Sequence, residues 1–393
     1  MNVQNSQTKP LRQKGTESSK RVDPLVRVDP LIRVDPLIRV VKKTEISFTK
    51  TVLLSLLAMV LALVAGGIFL LAIGHNPLKV YGIIVQGAWR SPIAIKGTIK
   101  IAIPLLIASL GITPAFQMKF WNIGAEGQII MGGIFATYFA LFFNHLPHGL
   151  LIFLMFIAGM VGGGLWGLIP AYFKTKFGTN ETLFTLMLNY IALYMIKYFT
   201  EGPWKDPASS GFPKIASFAR NARLDQIFGV HAGWLIGLVL VVIVFIYLKY
   251  TKHGYEINVV GESTNTARYA GMNVKKIVMR TMFLSGAICG IAGMTQVSGA
   301  AFTLGDGVAG GVGFTAIIVA WLSKLNPVII LIVTVLFSML EKGCSVMQSS
   351  FGLSNAVSSI LQGIILFFIL AFDFFTRYRF VFRKSTNEKG GER

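Results

Sequence analysis

Three apolar segments of the chain contain polar side chains, and these residues are the best placed to bind a small molecule. The first segment, FWNIGAEGQ, combines two aromatic rings, two amides and a carboxylate: Phe120, Trp121, Asn122, Glu126 and Gln128. Inside a lipid bilayer such polar groups are costly, so they are usually paired or line a water-filled cavity. The segment is a candidate binding site, but it equally suits a helix start in which Asn122 is the cap and Glu126 complements the dipole.

Two later segments share this character. TNETLFTLMLNY carries Asn180 and Glu181, which also suit a helix cap, and Asn189, which lies about two turns further on and must face protein or a cavity. GAAFTLGDGVAGGVGF is rich in glycine, contains Asp306 and precedes a short apolar run. Short, glycine-interrupted segments point to the central site of a transporter. We therefore predict that the first and third segments line a translocation path.

The sequence contains none of the motifs that mark nucleotide binding or hydrolytic catalysis. There is no G-x-x-x-x-G-K-[ST], no H-E-x-x-H and no G-x-S-x-G. The two cysteines, Cys289 and Cys344, lie in or beside apolar runs, without disulfide or zinc-ligand spacing. We expect a protein that is not an enzyme and that holds no metal or cofactor of its own.

The composition predicts an all-α, polytopic membrane protein. Hydrophobic residues make up 53% of the chain and charged residues 14%, whereas roughly a quarter of a soluble domain is charged. Glycines recur every four residues at 159, 163 and 167 and again at 286 and 290, which predicts closely packed helices. A span needs roughly 20 apolar residues. We assign about ten, at 51–73, 98–117, 122–143, 150–172, 182–200, 233–250, 278–298, 310–323, 327–343 and 356–375.

The net charge of +20 indicates membrane orientation, and we expect no nucleic-acid partner. Basic residues cluster in the tails and in loops between apolar runs, which is where the positive-inside rule places cytoplasmic segments. With ten spans, both termini are cytoplasmic, together with the loop that holds Lys174 and Lys176 and the stretch 249–280. The basic residues at 79–100 fit this alternation less well, so we expect an interfacial helix there.

The chain divides into a transmembrane domain and two basic cytoplasmic tails. We place the domain at 49–376 and the tails at 1–48 and 377–393, with no cleavable signal peptide. The amino-terminal tail repeats the hexapeptide RVDPL[VI], and a proline every sixth residue predicts extended or disordered backbone. This repeat is either a docking strip for another subunit or a neutral expansion in a tolerant tail.

The stretch HGYEINVVGESTNTARYAGMNVKK, at 253–276, is polar and bracketed by glycines. We predict a short helix across ESTNTARYAG that lies in a groove of a partner, because such docking needs one apolar edge and a polar rim. The apolar edge would come from Val259, Val260, Ala267, Ala270 and Met272. An ordinary interfacial loop is the alternative.

Several separated motifs resemble one family of transport proteins. FWNIGAEGQIIMGG, NETLFTLMLNYIALY, GPWKDP, HGYEINVVGESTNTARYAGMN and SGAICGIAGM, spread over residues 50–375, resemble the permeases of bacterial branched-chain amino acid, ribose and nucleoside ABC importers. The likeness is greatest to the nucleoside subfamily linked to basic membrane proteins. It implies a ten-helix, multi-pass permease of the bacterial plasma membrane, which pairs with a second homologous permease. The amino-terminal repeat lies outside the resemblance.

The resemblance also implies how such a permease works. Two cytoplasmic ATPase subunits bind the ATP, and an extracellular lipid-anchored binding protein delivers a nucleoside or simple sugar. Contact with the ATPase falls to the loop that contains Gly261, Glu262, Asn265, Ala267, Arg268, Tyr269, Ala270 and Gly271. The rival hypothesis is a stand-alone secondary transporter or channel, which would need its own ion site from Glu126, Glu181 or Asp306.

Overall fold

The computed structural model describes residues 38–42, 48–209 and 211–382, and helices dominate these ranges. The all-α prediction is confirmed. The helices are α1 Phe48–Ala72, α2 Pro77–Trp89, α3 Pro92–Gln117, α4 Ala125–Phe142, α5 His148–Phe177, α6 Glu181–Glu201, α7 Gly233–Tyr250, α8 Lys252–Glu262, α9 Thr264–Tyr269, α10 Val274–Thr295, α11 Val312–Leu322, α12 Pro327–Phe351 and α13 Asn355–Arg377. A 3-10 turn at Arg220–Ala222 precedes α7, and a π-helical turn at Gln296–Ala301 extends α10.

Short strands occur in two places. In the segment between α6 and α7, β2 (Gln226–Ile227) pairs antiparallel with β3 (Val230–His231). In a separate compact unit, β1 (Ile38–Lys42) pairs antiparallel with β4 (Tyr378–Phe382), in a register that joins Ile38 to Phe382. Both strands lie within the predicted tails, which were not expected to form a sheet. The hexapeptide repeat, apart from Ile38, lies outside the described residues, so its predicted conformation stays a prediction.

Each of the ten predicted spans coincides with a helix. Within the described ranges, seven helices are long and apolar enough to cross a membrane: α3, α4, α5, α6, α7, α10 with its π-helical extension, and α12. The pair Val60–Ala72 and Pro77–Trp89, bent by 117°, would supply an eighth. Val312–Leu322 and Ala356–Ile365 are shorter apolar stretches. Ten crossings with both termini cytoplasmic are compatible with this arrangement and remain a prediction.

A sharp turn separates α1 from α2. Gly74 adopts a left-handed conformation at φ +82°, which glycine tolerates because it lacks a Cβ. Asn76 then caps α2 by accepting hydrogen bonds from the amides of Leu78 (3.0 Å) and Lys79 (3.4 Å). We expected an interfacial helix in this region. The helix is present as α2. It buries Ala88, and its Val80 and Ile84 belong to a hydrophobic cluster shared with α12 and α13.

The centre of the bundle is a close crossing of α4, α5 and α10. A Cβ at Gly163 would clash with the backbone of Gly286, and a Cβ at Gly290 would clash with the backbone of Gly159. Only glycine lets these backbones touch, as the four-residue spacing predicts. Gly132 of α4 meets Gly290 in the same way. This crossing fixes the relative positions of the helices that hold the polar residues.

Candidate translocation site

The polar residues at the start of α4 form a buried network. Asn122 and Gln128 exchange hydrogen bonds of 3.3 and 3.2 Å, and Asn122 also donates to Ser285 of α10 at 3.2 Å. Asn122 is 0% exposed and Gln128 1%. The amides therefore hold α4 against α10, and a cargo molecule would reach them only after this network opened.

Asn189 supports the same region from α6. Its carbonyl oxygen accepts from the amide of Gly127 and its amide nitrogen donates to the carbonyl of Ile123, both at 2.9 Å. The amide of Ile123 donates to the hydroxyl of Thr185 at 3.2 Å. The residue thus faces protein, one of the two environments predicted for it. Thr185 was not singled out, because a threonine in a span carries no signal by itself.

Glu126 makes a contact that its position in the sequence does not suggest. It lies in the first turn of α4, but its carboxylate accepts hydrogen bonds from the amides of Gly311 (2.7 Å) and Gly313 (2.8 Å) at the start of α11. Its place in the first turn suits the dipole of α4, as expected, and the contact with α11 is additional. A carboxylate at a helix N-terminus is favourable, and here it joins the first and third polar segments. Asp306 is exposed in the loop before α11.

Aromatic rings gather where α3 and α11 end. Trp121, 48% exposed, stacks on Trp321 with ring centroids 5.6 Å apart, and Phe116 packs against both rings. Phe120 is buried beside this group in the core. Of the predicted aromatic pair, only Trp121 presents its ring to the surface.

Asn180 and Glu181 lie at the start of α6. Asn180 accepts hydrogen bonds from the amides of Thr182 (3.0 Å) and Leu183 (3.3 Å), and Glu181 forms an ion pair with Lys174 at 2.7 Å. The capping alternative is therefore confirmed for Asn180. Within the described ranges, no group of three or more His, Cys, Asp or Glu residues is arranged to hold a metal ion.

A polar cavity of about 470 Å³ lies between α11, α12 and α13. Leu105 of α3 closes one side, and Gly311, whose amide is bound by Glu126, lies on its wall. The polar lining comes mainly from α12 and α13: Glu341, Ser345, Gln348, Ser359 and Gln362, with Thr315 of α11.

The residues of α12 in this cavity were not predicted. Glu341, Ser345 and Gln348 stand at i, i+4 and i+7, which is one face of a helix. That periodicity was available in the sequence. It was missed because the predicted span ended at 343, which placed Glu341 at a span end, whereas α12 continues to Phe351.

The predicted short helix across 262–271 is present as α9, Thr264–Tyr269, and Ser263 caps it by accepting from the amide of Thr266 at 3.2 Å. Its predicted apolar edge is wrong in part, because Val260 and Ala267 are buried at 3% and 0% exposure in this chain's own core. The surface left for a partner is the exposed set Glu262, Asn265, Arg268, Tyr269, Ala270 and Gly271. Tyr269 is the most prominent of these, at 93% exposure.

This loop is fastened to the bundle at two points. Gly261 packs so closely on the α3 C-terminus that a Cβ would clash with the backbone of Gln117. Arg280 of α10 donates a hydrogen bond of 2.8 Å to Glu256 of α8, and this contact lowers the pKa of the Glu256 carboxyl. Gln117 in turn donates to the carbonyl of Leu325, just after α11, at 3.5 Å. The α8–α9 segment thus lies against the end of α3, which in turn contacts the residues just after α11.

Comparison with known proteins identifies the class. Residues 94–370 match the family described as branched-chain amino acid transport system / permease component. The chain belongs to this family. Its relatives are permease subunits of ABC transporters, so it is a multi-pass plasma-membrane transport component that works with ABC transporter partners, and not an enzyme.

Three relatives illustrate the range of the family. The glucose ABC transporter permease protein TsgB13 of Haloferax volcanii is 30% identical over 82% of this chain and 88% of its own length. The guanosine ABC transporter permease protein NupP of Bacillus subtilis is 31% identical over 81% and 92%. The nucleoside ABC transporter permease protein NupB of Lactococcus lactis is 31% identical over 82% and 91%.

Proposed function

We propose that this permease forms the translocation path of an importer for a nucleoside or a simple sugar. The observation that carries the proposal is the polar cavity of about 470 Å³ among otherwise apolar helices. Sites for small molecules commonly occupy roughly 300–1,000 Å³. The carboxylate, amides and hydroxyls of its wall suit a solute with several hydroxyl groups. Relatives named for glucose, guanosine and nucleosides support this class of cargo.

The path combines this cavity with part of the polar set predicted from the sequence. Glu126 touches the cavity wall through Gly311, and the exposed ring of Trp121 offers a surface on which a base or sugar ring can stack. Asn122, Gln128 and Asn189 hold the helices around the path. Asn180 caps α6, Glu181 pairs with Lys174 at the start of the same helix, and Asp306 lies in the loop that leads to α11.

The importer includes three kinds of partner. A second homologous permease subunit covers the open side of the cavity, where Glu341 and Ser345 are exposed. Cytoplasmic ATPase subunits, which bind the ATP, contact the exposed residues of the α9 loop. An extracellular binding lipoprotein delivers the cargo to the segment 201–232. The exposed tyrosine and arginine of α9 support the second contact, because both residue types are enriched in protein interfaces.

The rival hypothesis of an ion-coupled transporter is less well supported. It needs an intramembrane carboxylate that is available to an ion or proton. Glu126 is occupied by two backbone amides and Glu181 by Lys174. Two of the three carboxylates predicted for this role therefore serve structural contacts. Glu341 also faces the cavity, so the stronger support for the ABC mechanism comes from the relatives that are named as ABC transporter permeases.

Uptake by the complete transporter in a deletion strain tests the function. We expect unlabelled nucleosides or sugars to compete with a labelled nucleoside, and branched-chain amino acids to have no effect. Competition by amino acids alone would refute the proposal that the cargo is a nucleoside or a simple sugar. Nucleoside transport into liposomes by the purified permease without any ATPase subunit would refute the ABC mechanism.

A further inference from the structure

The charged residue of the cavity, Glu341, lies near the middle of α12, between Pro327 and Phe351. A carboxylate at this depth is costly unless it is paired or faces a polar cavity, and such residues usually mark a substrate path. The side chain is exposed into the cavity. Among the described side chains, the ion pairs join other residues: His148 to Asp225, Lys174 to Glu181 and Arg280 to Glu256.

The neighbouring lysine does not neutralise this carboxylate within the cavity. Lys342 follows Glu341 and is therefore rotated by about 100° around the helix. Its side chain packs on Gly97 of α3, where its Cε lies 3.0 Å from the position of an added Cβ. Glu341 is thus the carboxylate that lines the cavity, and the other polar groups of the wall are hydroxyls, amides, backbone groups and the thiol of Cys344.

A second carboxylate, that of Glu126, also disfavours a negatively charged ligand near the cavity. The amides of Gly311 and Gly313 at the start of α11 would attract an anion, but the carboxylate of Glu126 already accepts from both. Glu126 does not itself line the cavity, but the carboxylate of Glu341 does, and it opposes phosphate and carboxylate ligands by like-charge repulsion. A ligand that suits Glu341 must instead donate hydrogen bonds.

We infer that Glu341 is the specificity-determining residue of the path and that it binds vicinal hydroxyl groups of a neutral cargo. A carboxylate has two oxygens and can accept one hydrogen bond from each of two adjacent hydroxyls. Ser345 and Gln362 then contact the remaining polar groups. The inference rests on the proposed function and narrows it, because it excludes nucleotides and amino acids, which carry an anionic group.

The test compares a cargo with its deoxy analogue in the complete transporter, with an unchanged binding protein. The wild-type protein is given a ribonucleoside and its 2′,3′-dideoxy form, or a hexose and its deoxy form if sugars are the cargo. Glu341→Gln keeps the size but loses one acceptor oxygen and the charge. In Glu341→Gln we expect uptake of the hydroxylated cargo to fall by roughly tenfold or more and uptake of the deoxy analogue to change little. The ratio of the first uptake to the second should therefore fall by the same factor.

Controls separate this result from damage to the fold. Ser350→Ala alters the same helix at an exposed residue outside the cavity wall and should leave the ratio unchanged. Glu341→Asp keeps the carboxylate and should retain more discrimination than Glu341→Gln at equal membrane expression. If Glu341→Gln is poorly expressed, the ratio of the two uptakes still decides the point, because both are measured on the same variant at the same expression level.

The outcomes distinguish the two proposals. If the wild-type transporter takes up neither nucleosides nor sugars, the proposed function fails. If it does, but Glu341→Gln keeps the wild-type ratio, the role of Glu341 is refuted while the function stands. The inference would also be overturned if Glu341→Gln selectively lost uptake of a cationic substrate. The carboxylate would then bind a positive charge and not a pair of hydroxyl groups.

Discussion

Glu126 and Gly311 are 185 residues apart in the chain, yet the carboxylate of one accepts a hydrogen bond of 2.7 Å from the amide of the other. The contact joins the first turn of α4 to the start of α11. Glu126 therefore helps to place the wall of the cavity without being a lining residue itself.

Removing the charge of Glu126 should destabilise the start of α11. In Glu126→Gln the two amides lose an ionised acceptor, and hydrogen bonds to charged groups contribute roughly 1.5–3 kcal/mol. We expect a lower midpoint of thermal unfolding for the purified permease in detergent, measured without the ATPase subunits. Glu262→Gln, at an exposed residue of α8, is the matched control. Equal midpoints for the two variants would contradict the proposed anchoring role.

The glycine crossing can be tested by adding a single methyl group. Gly163→Ala inserts a Cβ against the backbone of Gly286, where nothing can move aside cheaply. Overpacking of this kind costs roughly 1–3 kcal/mol, so the yield of folded protein and its unfolding midpoint should both fall. Gly149→Ala on the same helix meets no atom within 4 Å and should behave like the wild type. If both variants were equally stable, the backbones would not be in contact.

The stability of the segment between α6 and α7, which contains His231, should depend on pH. The side chain is 1% exposed, and burial together with the charge of Lys100 lowers its pKa from 6.5 to about 4. The unfolded chain therefore binds more protons between these values, and stability is full above pH 6.5 and decreases as the pH falls towards 4. The full effect is about 3 kcal/mol.

Replacing His231 measures this effect. His231→Gln should show a shallower fall in unfolding midpoint between pH 6.5 and 4 than the wild type. His145→Gln, in the exposed loop between α4 and α5, is the control, and its unfolding midpoint should depend on pH as that of the wild type does. A slope that is unaffected by His231→Gln would show that the histidine is already protonated in the folded state.

The proposed contact with the ATPase can be tested at the surface of α9. Tyr269→Ala removes the most exposed ring of the loop, and Arg268→Glu reverses an exposed charge beside it. We expect either change to reduce co-purification of the ATPase subunit several-fold while leaving the permease folded, because hot spots are enriched in tyrosine and arginine. Lys176→Glu, at the exposed end of α5, is the charge-matched control. Normal co-purification of both α9 variants would show that this surface is not where the ATPase subunit binds.

Most of the helical framework could be predicted because each span is a local property of the sequence. Apolar runs located the helices, the Asn180 cap marks the start of α6, and the spacing of Gly159 and Gly163 indicates a crossing. The span predicted at 51–73 ends beside Gly74, and the interfacial helix expected near 79–100 is present as α2. The 117° angle between the two helices has no local signal in the sequence.

The site was harder to predict because its contacts are not local. The partner of Glu126 lies on another helix, and nothing near position 126 indicates the amides of Gly311 and Gly313. Burial of Val260 and Ala267 depends on which side of the α8–α9 segment meets the bundle, and a short amphipathic stretch does not reveal that. Glu341 had a local signal, and an error in the length of one span concealed it.

The shortness of α11 has a mechanical consequence. The helix has 11 residues and is about 16 Å long, so it moves as a rigid body. Its start is held by Glu126 beside the cavity, and its end lies beside Gln117, the residue on which Gly261 packs. Tilting it by about 10° at one end displaces the other by about 3 Å, roughly the length of a hydrogen bond. We therefore expect a displacement of that size, passed from the α8–α9 segment through Gln117, to change which groups the cavity presents.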